Sequence, residues 1–408
     1  MTDTDHTLAL RRIGREAIGP AFCVYLHRVI ERSHSLGLDR LMFLAREGHV
    51  FRMLYDQLAP RLSLQPLPTS YLYVSRLSTA LPAVQRFGLR EMRLAWRRAG
   101  GHTPRGLLRT FGLDEAPLLP RLYAAGFLRA DEPIVDWWGD MRFDRLLDDE
   151  LFQARVAEQA SAARGRLRRY LAAESYFESR VGLVDIGWGG TIQDALTRAF
   201  RDEGPALHGL YFGLGEAAET YSDPTLLGAK EGLFSDYRRH RGLPGRAVFA
   251  FLELFEQAAR APHGTTLGYE DLDGNVVPVL KESGRDRDAE RRSDVLIAAI
   301  LAGVREAADD YLRAPSRWAS ERLESTWVSV DRLVFSPTRA ELDAISSLSH
   351  SVDWGGDVHR SLGGTPFTLY PRALKQQFDL AFWKSGFLRS IGGPLLPKLY
   401  RRYLASKP

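Results

Sequence analysis

The stretch Val181 to Leu196, VGLVDIGWGGTIQDAL, decides how this chain is expected to fold. Its first four residues are apolar and predict a short buried strand that ends at Asp185. The glycine-rich loop IGWGG (186–190) then interrupts regular structure, and Thr191 to Phe200 has the apolar spacing of a helix. This order is typical of a phosphate-binding turn, because glycines let backbone N–H groups approach an anion at a helix start. A tight turn without a ligand is the alternative.

A second apolar strand is predicted over Leu41 to Leu44, and it is followed directly by Arg46, Glu47 and Gly48. Ligands of open α/β sheets bind at the carboxyl ends of the strands, where these residues are expected to lie. Arg46 offers a donor fork for phosphate oxygens, and Glu47 offers a carboxylate for a metal ion or a ligand hydroxyl. A solvent-facing ion pair is the alternative.

Two more strands complete the predicted sheet. Ser70 to Ser78 alternates as a strand does, with Ser75 and Arg76 near its carboxyl end, and Gly209 to Gly215 is apolar throughout. Several strand ends that all carry polar groups or glycine form a consistent pattern, which predicts a ligand site at one edge of the sheet. Taken alone, Arg76 is equally explained as a surface arginine.

A helix is predicted over Phe249 to Ala261, and Glu253 and Glu256 lie among its apolar residues. A carboxylate in such surroundings costs free energy unless it is paired, which favours a role for Glu253. His263 follows, beside Gly264 and Thr265, and is a candidate anion ligand or acid–base group. A histidine that only makes structural hydrogen bonds is the alternative.

The stretch DLDG (271–274) superficially matches the nucleophile motif of haloacid-dehalogenase phosphatases. That motif needs an apolar strand directly before its first aspartate, and Gly268, Tyr269 and Glu270 stand there instead. Asp273 and Gly274 lie between two strand-like segments, so we predict a hairpin turn and reject a phosphatase site.

The composition limits the classes of function. The chain has 408 residues, of which 45% are hydrophobic, and its net charge is +4, which suits anionic ligands but is too scattered to indicate nucleic acid. Cys23 is the only cysteine, which excludes an internal disulfide and a cysteine-based metal site. The N-terminal residues lack a signal-peptide core and no stretch is long enough to span a bilayer, so we expect a cytoplasmic protein. The basic, aromatic tail, Leu374 to Leu404, favours packing onto the core, with peripheral contact at the inner membrane face as the alternative.

The predicted organisation is an α/β core with helical additions. An N-terminal helical segment covers residues 1–36. Residues 37–82 and 179–280 form the core, residues 83–178 a helical insertion or cap, and residues 281–408 a helical C-terminal extension.

Four blocks of this sequence together resemble a known family: FLAREG (43–48), YLYVSR (71–76), LVDIGWGGTIQ (183–193) and ELFEQAARAPHGTTLGY (253–269). They resemble the C-terminal region of large bacterial proteins from polysaccharide gene clusters, whose N-terminal half is a haloacid-dehalogenase-like hydrolase. The resemblance extends from about residue 15 to 390, and the hydrolase half is absent from this chain.

The central block also resembles the ribose-phosphate loop of type I phosphoribosyltransferases, which implies a Rossmann-like parallel sheet of phosphoribosyltransferase type. The resemblance implies that Asp185 contacts the ribose of phosphoribosyl pyrophosphate (PRPP), that the glycine loop holds its 5-phosphate, and that Ala45 to Gly48 form the pyrophosphate loop. The loop is slightly short, and Ile186 stands where a second acid is common.

The two resemblances imply one activity, the transfer of 5-phosphoribosyl from PRPP, with Mg²⁺, to a hydroxyl of a bacterial polysaccharide or its lipid-linked precursor. A separate haloacid-dehalogenase phosphatase would then remove the 5-phosphate. The alternatives are a sugar-phosphate hydrolase and a non-catalytic, anion-binding subunit of polysaccharide assembly. The expected catalytic residues are Asp185, Glu47, Glu253 and His263, with Asp185 or Glu47 as metal ligands. The expected substrate-binding residues are Arg46, Gly48, Ser75, Arg76, Gly187, Trp188, Gly189, Gly190, Thr191, Gly264 and Thr265.

Overall fold

The computed structural model of this chain describes residues 3–63, 65–96, 102–137, 139–221, 225, 229–239, 244–282, 287–351, 359–363 and 370–406. Five parallel strands form its main sheet: β1 (Arg40–Leu44), β2 (Thr69–Leu72), β3 (Val181–Trp188), β4 (Leu207–Leu214) and β5 (Lys230–Asp236). Their order is β2-β1-β3-β4-β5. The predicted α/β class with a parallel sheet is confirmed. The order reverses between β1 and β3, and ligands of doubly wound sheets bind outside the strand ends at such a point.

Helices surround this sheet on the described parts of the chain. They are α1 (Asp3–Ile13), α2 (Gly19–Ser35), α3 (Gly48–Leu62), α4 (Arg76–Ala80), α5 (Leu89–Trp96), α6 (Pro104–Thr110), α7 (Leu119–Ala125), α8 (Met141–Asp148), α9 (Glu150–Ala173), α10 (Thr191–Ala199), α11 (Ala217–Tyr221), α12 (Leu252–Ala258), α13 (Arg287–Arg313), α14 (Ser320–Phe335), α15 (Arg339–Ser346), α16 (Pro371–Leu380), α17 (Lys384–Gly392) and α18 (Leu395–Ser406). A π-helical turn, Gly14–Ile18, joins α1 to α2, so the predicted N-terminal helix is nearly continuous. Short 3₁₀ turns occupy Tyr176–Glu178 and Pro244–Ala250.

The ends of two predicted strands are wrong, and one strand was not predicted. β3 continues past Asp185 to Trp188, because its last residues pair with β4, with Gly187 opposite Gly213 and Trp188 opposite Leu214. The strand predicted over residues 70–78 ends at Leu72, and Ser75 instead caps the short helix α4. β5 was not predicted, because its first two residues, Lys230 and Glu231, are charged and interrupt the apolar pattern expected of a buried strand.

The register of the sheet places the strand ends at one level. Phe43 of β1 is opposite Val184 of β3, and Leu44 is opposite Leu72 of β2. Asp185 therefore stands where β1 and β2 both end, although its own strand continues. This register brings the loops after β1 and β2 beside the Asp185 carboxylate.

The segment between β2 and β3 folds into helices α5 to α9. Its apolar side chains form a buried cluster of their own, which includes Phe87, Phe111, Leu122, Phe143 and Phe152. Gln153 of α9 holds this cluster together, since its side-chain amide donates to Phe87 O at 2.9 Å and its oxygen accepts from Phe87 N at 3.0 Å.

The hairpin predicted at Asp273 and Gly274 is confirmed. Strands β6 (Thr266–Leu272) and β7 (Asn275–Leu280) pair antiparallel, and the two turn residues have φ of 50° and 81°. Positive φ at both central residues is the geometry of a tight hairpin turn. A second small hairpin pairs β8 (Ser349–Ser351) with β9 (His359–Ser361).

The C-terminal helices pack onto the core through Trp383. This side chain is fully buried, its Nε1 donates to Val334 O at 2.9 Å, and its ring stacks on Phe251 at 4.8 Å between centroids. The tail was expected to pack onto the core, and at Trp383 it does. None of the helices in the described ranges is long and apolar enough to cross a bilayer.

Candidate functional site at the carboxyl edge of the sheet

Asp185 is the most perturbed acid of this edge. Its side chain is buried, and its carboxylate accepts hydrogen bonds from the backbone N–H groups of Ile186 and Gly187. Burial and the nearby charge of Glu47 raise the pKa of Asp185 to about 8, while Arg76 acts in the opposite direction. Asp185 is thus a carboxylic acid whose proton can be removed near neutral pH, and such groups concentrate at functional sites.

Glu47 and Arg46 lie in the turn that joins β1 to α3. Both side chains are half-buried, and the backbone N–H of Arg46 donates to Oε2 of Glu47 at 3.2 Å. Gly48 has a packing role, because a Cβ there would lie 2.7 Å from the carbonyl carbon of Phe43. The glycine lets α3 start directly against β1, which holds Glu47 at the edge of the sheet.

Arg76 opens α4, one residue after Ser75. Ser75 fixes this turn, since its Oγ donates to Thr266 O at 2.6 Å and accepts from Ser78 N at 3.0 Å. Arg76 is exposed to solvent. Burial by surrounding protein atoms nevertheless lowers the pKa of its guanidinium. Among the nearby acids, the charge of Glu256 raises this pKa most.

Three carboxylates surround Arg76. Glu256, Glu47 and Asp185 all raise the pKa of its guanidinium, which places each of them within electrostatic range of Arg76. They come from α12, the β1–α3 turn and β3 respectively. The tertiary structure therefore brings Arg46, Glu47 and Asp185, which are among the expected site residues, close to Arg76, together with Glu256.

Glu256 was not among the predicted site residues. Oε1 of Glu256 accepts a hydrogen bond from Nε1 of Trp188 at 2.9 Å, and this bond ties α12 to the end of β3. Glu253 is half-buried on the same helix, one turn earlier.

His263 joins the site through Tyr71. Its Nδ1 donates to Gly264 O at 2.9 Å, so in the neutral ring Nε2 is the acceptor and receives the Tyr71 hydroxyl at 2.7 Å. The Tyr71 hydroxyl also lies 3.3 Å from Arg46 O. Burial and the charge of Glu47 raise the pKa of Tyr71, which therefore remains a proton donor. Tyr71 is a second residue that sequence reasoning missed.

The three glycines of the central loop, Gly187, Gly189 and Gly190, differ in how much space the surrounding atoms leave for a side chain. A Cβ on Gly187 would lie 2.1 Å from Gly213 O, and one on Gly190 would lie 2.9 Å from Lys230 Cδ, so packing alone requires glycine at both positions. Both also have positive φ, 105° and 64°. At Gly189 the nearest atom to an added Cβ is 3.7 Å away. At Gly189 an added Cβ would make only ordinary contacts, with Thr191 and Ala217, so packing does not require glycine at this position of the loop.

A buried ion pair, Lys230 with Asp194, contacts the central glycine loop. Lys230 is fully buried, and its Nζ lies 2.7 Å from Oδ1 of Asp194 and 3.3 Å from Gly189 O. Asp194 lies in the first turn of α10, so the pair clamps the loop to the helix that follows it. Neither Lys230 nor Asp194 was among the predicted site residues.

Gly264 and Thr265 lie at the start of the β6–β7 hairpin. A Cβ on Gly264 would lie 2.0 Å from Lys281 O, and Thr265 O accepts from Lys281 N at 2.8 Å. These contacts give both residues a backbone role beside His263.

The described residues contain no group of three or more His, Cys, Asp or Glu side chains arranged to hold a metal ion. No protein-family model matches this chain, and no curated protein matches its sequence. The arrangement itself offers two arginines for an anion, one carboxylic acid, Asp185, with a pKa raised to about 8, and a glycine loop at a helix start. Such a set can bind a phosphorylated ligand and transfer a proton.

Proposed function

We propose that this protein transfers a 5-phosphoribosyl group from PRPP to a hydroxyl of a bacterial surface glycan or its lipid-linked precursor and releases pyrophosphate. The observation that carries the proposal is the grouping of Arg46 and Arg76 with Asp185, Glu47 and Glu256 where the sheet order reverses. A donor with two phosphorylated ends and a ribose between them needs both cations and carboxylates within a short distance.

The two phosphorylated ends of PRPP are assigned to different parts of the site. The 5-phosphate binds to backbone N–H groups of Gly189, Gly190 and Thr191, where α10 begins and its dipole favours negative charge. The pyrophosphate binds near Arg46 and Arg76, whose guanidinium groups suit phosphate oxygens and offset the charge of the leaving group.

Asp185 and Glu47 are suited to the magnesium ion that accompanies PRPP. Mg²⁺ is usually held by one or two carboxylates together with substrate phosphates, and here the charge of Glu47 contributes to the raised pKa of Asp185. Bound Mg²⁺ would neutralise charge on the pyrophosphate. Asp185, once ionised, accepts hydrogen bonds from the ribose hydroxyls.

His263 is the proposed proton acceptor. The bond between C1 of ribose and pyrophosphate breaks with its electron pair passing to pyrophosphate, and the glycan oxygen bonds to C1 and loses its proton. Gly264 O fixes Nδ1 of His263 as a donor, so Nε2 is the acceptor of the Tyr71 hydroxyl. The glycan proton therefore passes to the Tyr71 oxygen as the Tyr71 hydroxyl gives its own proton to Nε2. The 5-phosphate of the product is left for a separate phosphatase of haloacid-dehalogenase type.

The decisive experiment incubates the purified protein with PRPP, Mg²⁺ and candidate glycans and measures released pyrophosphate. Release that requires the glycan, together with a phosphoribosylated product in mass spectrometry, is the expected result. Asp185→Asn should abolish transfer without loss of the fold, whereas Asp202→Asn, in an exposed turn before β4, should not. Release of inorganic phosphate would indicate a sugar-phosphate hydrolase, and PRPP binding without turnover would indicate an anion-binding subunit.

A further inference from the structure

Helix α18 presents a stripe of apolar side chains to solvent. Leu395, Leu399 and Tyr403 are 69%, 57% and 54% exposed. They are spaced four residues apart, so they lie on one side of the helix. Lys398 and Arg402 are also exposed, and helical spacing places them beside this stripe. The exposed side of α18 therefore combines apolar and basic groups.

The opposite side of α18 holds the helix on the protein. Tyr400 and Leu404 pack against the main hydrophobic core, and the Tyr400 ring meets Phe378 edge-on at 5.8 Å. Nε of Arg401 donates to Oδ1 of Asp331 in α14 at 2.8 Å. Because these contacts use one side of the helix, the stripe formed by Leu395, Leu399 and Tyr403 faces outward.

The whole tail is strongly basic. Residues 370–406 contain seven Lys and Arg residues and one acid, Asp379, while the net charge of the complete chain is only +4. The basic residues are Arg372, Lys375, Lys384, Arg389, Lys398, Arg401 and Arg402. Such an asymmetry favours a negatively charged partner surface.

We propose that α18 lies on an anionic phospholipid bilayer, with Leu395, Leu399 and Tyr403 in the headgroup region and Lys398 and Arg402 against lipid phosphates. Leucine and tyrosine beside lysine and arginine on one exposed helix side match an interfacial helix, which combines apolar burial with attraction to anionic lipids. An acidic protein or nucleic acid would use the charges but leave the leucines exposed. The surface does not depend on the proposed transferase activity.

Sedimentation of the full chain with vesicles tests this inference. We expect binding to vesicles of phosphatidylglycerol and phosphatidylcholine and much weaker binding to phosphatidylcholine alone. Lys398→Glu with Arg402→Glu should weaken binding by at least about tenfold, since each basic residue near an anionic surface contributes on the order of fivefold. Leu395→Ser with Leu399→Ser should weaken it to a similar degree at unchanged charge. The matched control is Leu128→Ser with Val135→Ser, two residues of the α7–α8 connection that are 86% and 98% exposed.

Circular dichroism first confirms that each variant folds, which is expected because the substituted side chains are exposed. Absence of vesicle binding by the unaltered chain would overturn the inference. So would charge-dependent binding that the leucine substitutions leave unchanged, since the apolar stripe would then take no part. A concentration-dependent dimer that these leucine substitutions disrupt would assign the stripe to a second copy of the chain instead.

Discussion

The indole of Trp188 donates a hydrogen bond of 2.9 Å to the carboxylate of Glu256. The two residues lie 68 positions apart in the chain, at the end of β3 and on α12. The bond places a carboxylate from outside the sheet beside Arg76, whose guanidinium it influences more strongly than Glu47 or Asp185 does. Trp188 is therefore a positioning residue for Glu256, and through Glu256 for Arg76.

Trp188→Phe should keep the aromatic packing and lose only this hydrogen bond. We expect transfer activity to fall about tenfold, since a hydrogen bond to a charged group contributes about 1.5–3 kcal/mol. Steady-state kinetics on Trp188→Phe, Glu256→Ala and the double variant measure the coupling. If both residues act through one bond, the double variant should be little worse than the worse single variant. Trp318→Phe, at an exposed position, is the control, and strictly additive losses would contradict the coupling.

The stability of the protein should depend on pH through Asp185. The folded pKa of this group is raised to about 8 from its ordinary value of 3.8, so the folded state binds the proton more tightly than the unfolded chain does. Stabilisation from this group is complete below about pH 4 and is lost as the pH rises to 8, by at most about 1.4 kcal/mol per pH unit. Asp185→Asn should thus gain thermal stability relative to the unaltered protein between pH 5 and 8. A constant difference in Tm over this range would refute the raised pKa.

Binding of PRPP with Mg²⁺ at pH 7 should release about one proton from Asp185. The carboxyl is mostly protonated at this pH in the free protein, and a cation beside it favours the ionised form. Titration calorimetry in buffers of different ionisation enthalpy counts the proton. Asp185→Asn should bind with no such release from this site, and an equal release from both proteins would contradict the assignment.

Gly189→Ala should weaken PRPP binding at least about tenfold while leaving the melting temperature nearly unchanged. The added methyl group meets nothing closer than 3.7 Å in the protein, so any effect arises at the ligand. Calorimetric affinity and thermal unfolding are measured together. Gly268→Ala, whose added Cβ would meet no atom within 4 Å, is the control. Gly190→Val is a poor test, because its Cβ would lie 2.9 Å from Lys230 and 3.0 Å from the Tyr211 hydroxyl. Unaltered PRPP affinity in Gly189→Ala would count against the phosphate-binding loop.

Lys230→Met should destabilise the fold by about 3–5 kcal/mol, because it leaves the buried carboxylate of Asp194 without its cation. Urea unfolding measures the loss. Adding Asp194→Leu should recover much of it, since removal of both charges leaves no isolated charge in the interior. Arg86→Met, in an exposed pair with Glu150, should cost about 1 kcal/mol or less. A small effect of Lys230→Met would show that the pair does not clamp the loop.

The sequence by itself determined the local elements that carry strong periodic or turn signals. Apolar stretches predicted β1, β3 and β4, and Asp273 and Gly274 predicted the β6–β7 turn, because these features depend on residues that are close in the chain. The polar ends of β1 and β2 also pointed to Arg46, Glu47 and Arg76. Strand lengths were less well predicted, since β3 reaches Trp188 only through pairing with β4.

Only the tertiary structure decided which of these groups meet. The register that sets Asp185 level with the ends of β1 and β2 is a pairing between distant strands, and no local pattern encodes it. The same is true of Glu256, which α12 directs toward Trp188, and of Lys230, which is buried because Asp194 faces it. The residue types at the carboxyl edge of the sheet indicated which chemical groups this edge would carry. Its geometry depended on contacts between residues far apart in the chain, whose free energy is gained only when the whole sheet assembles.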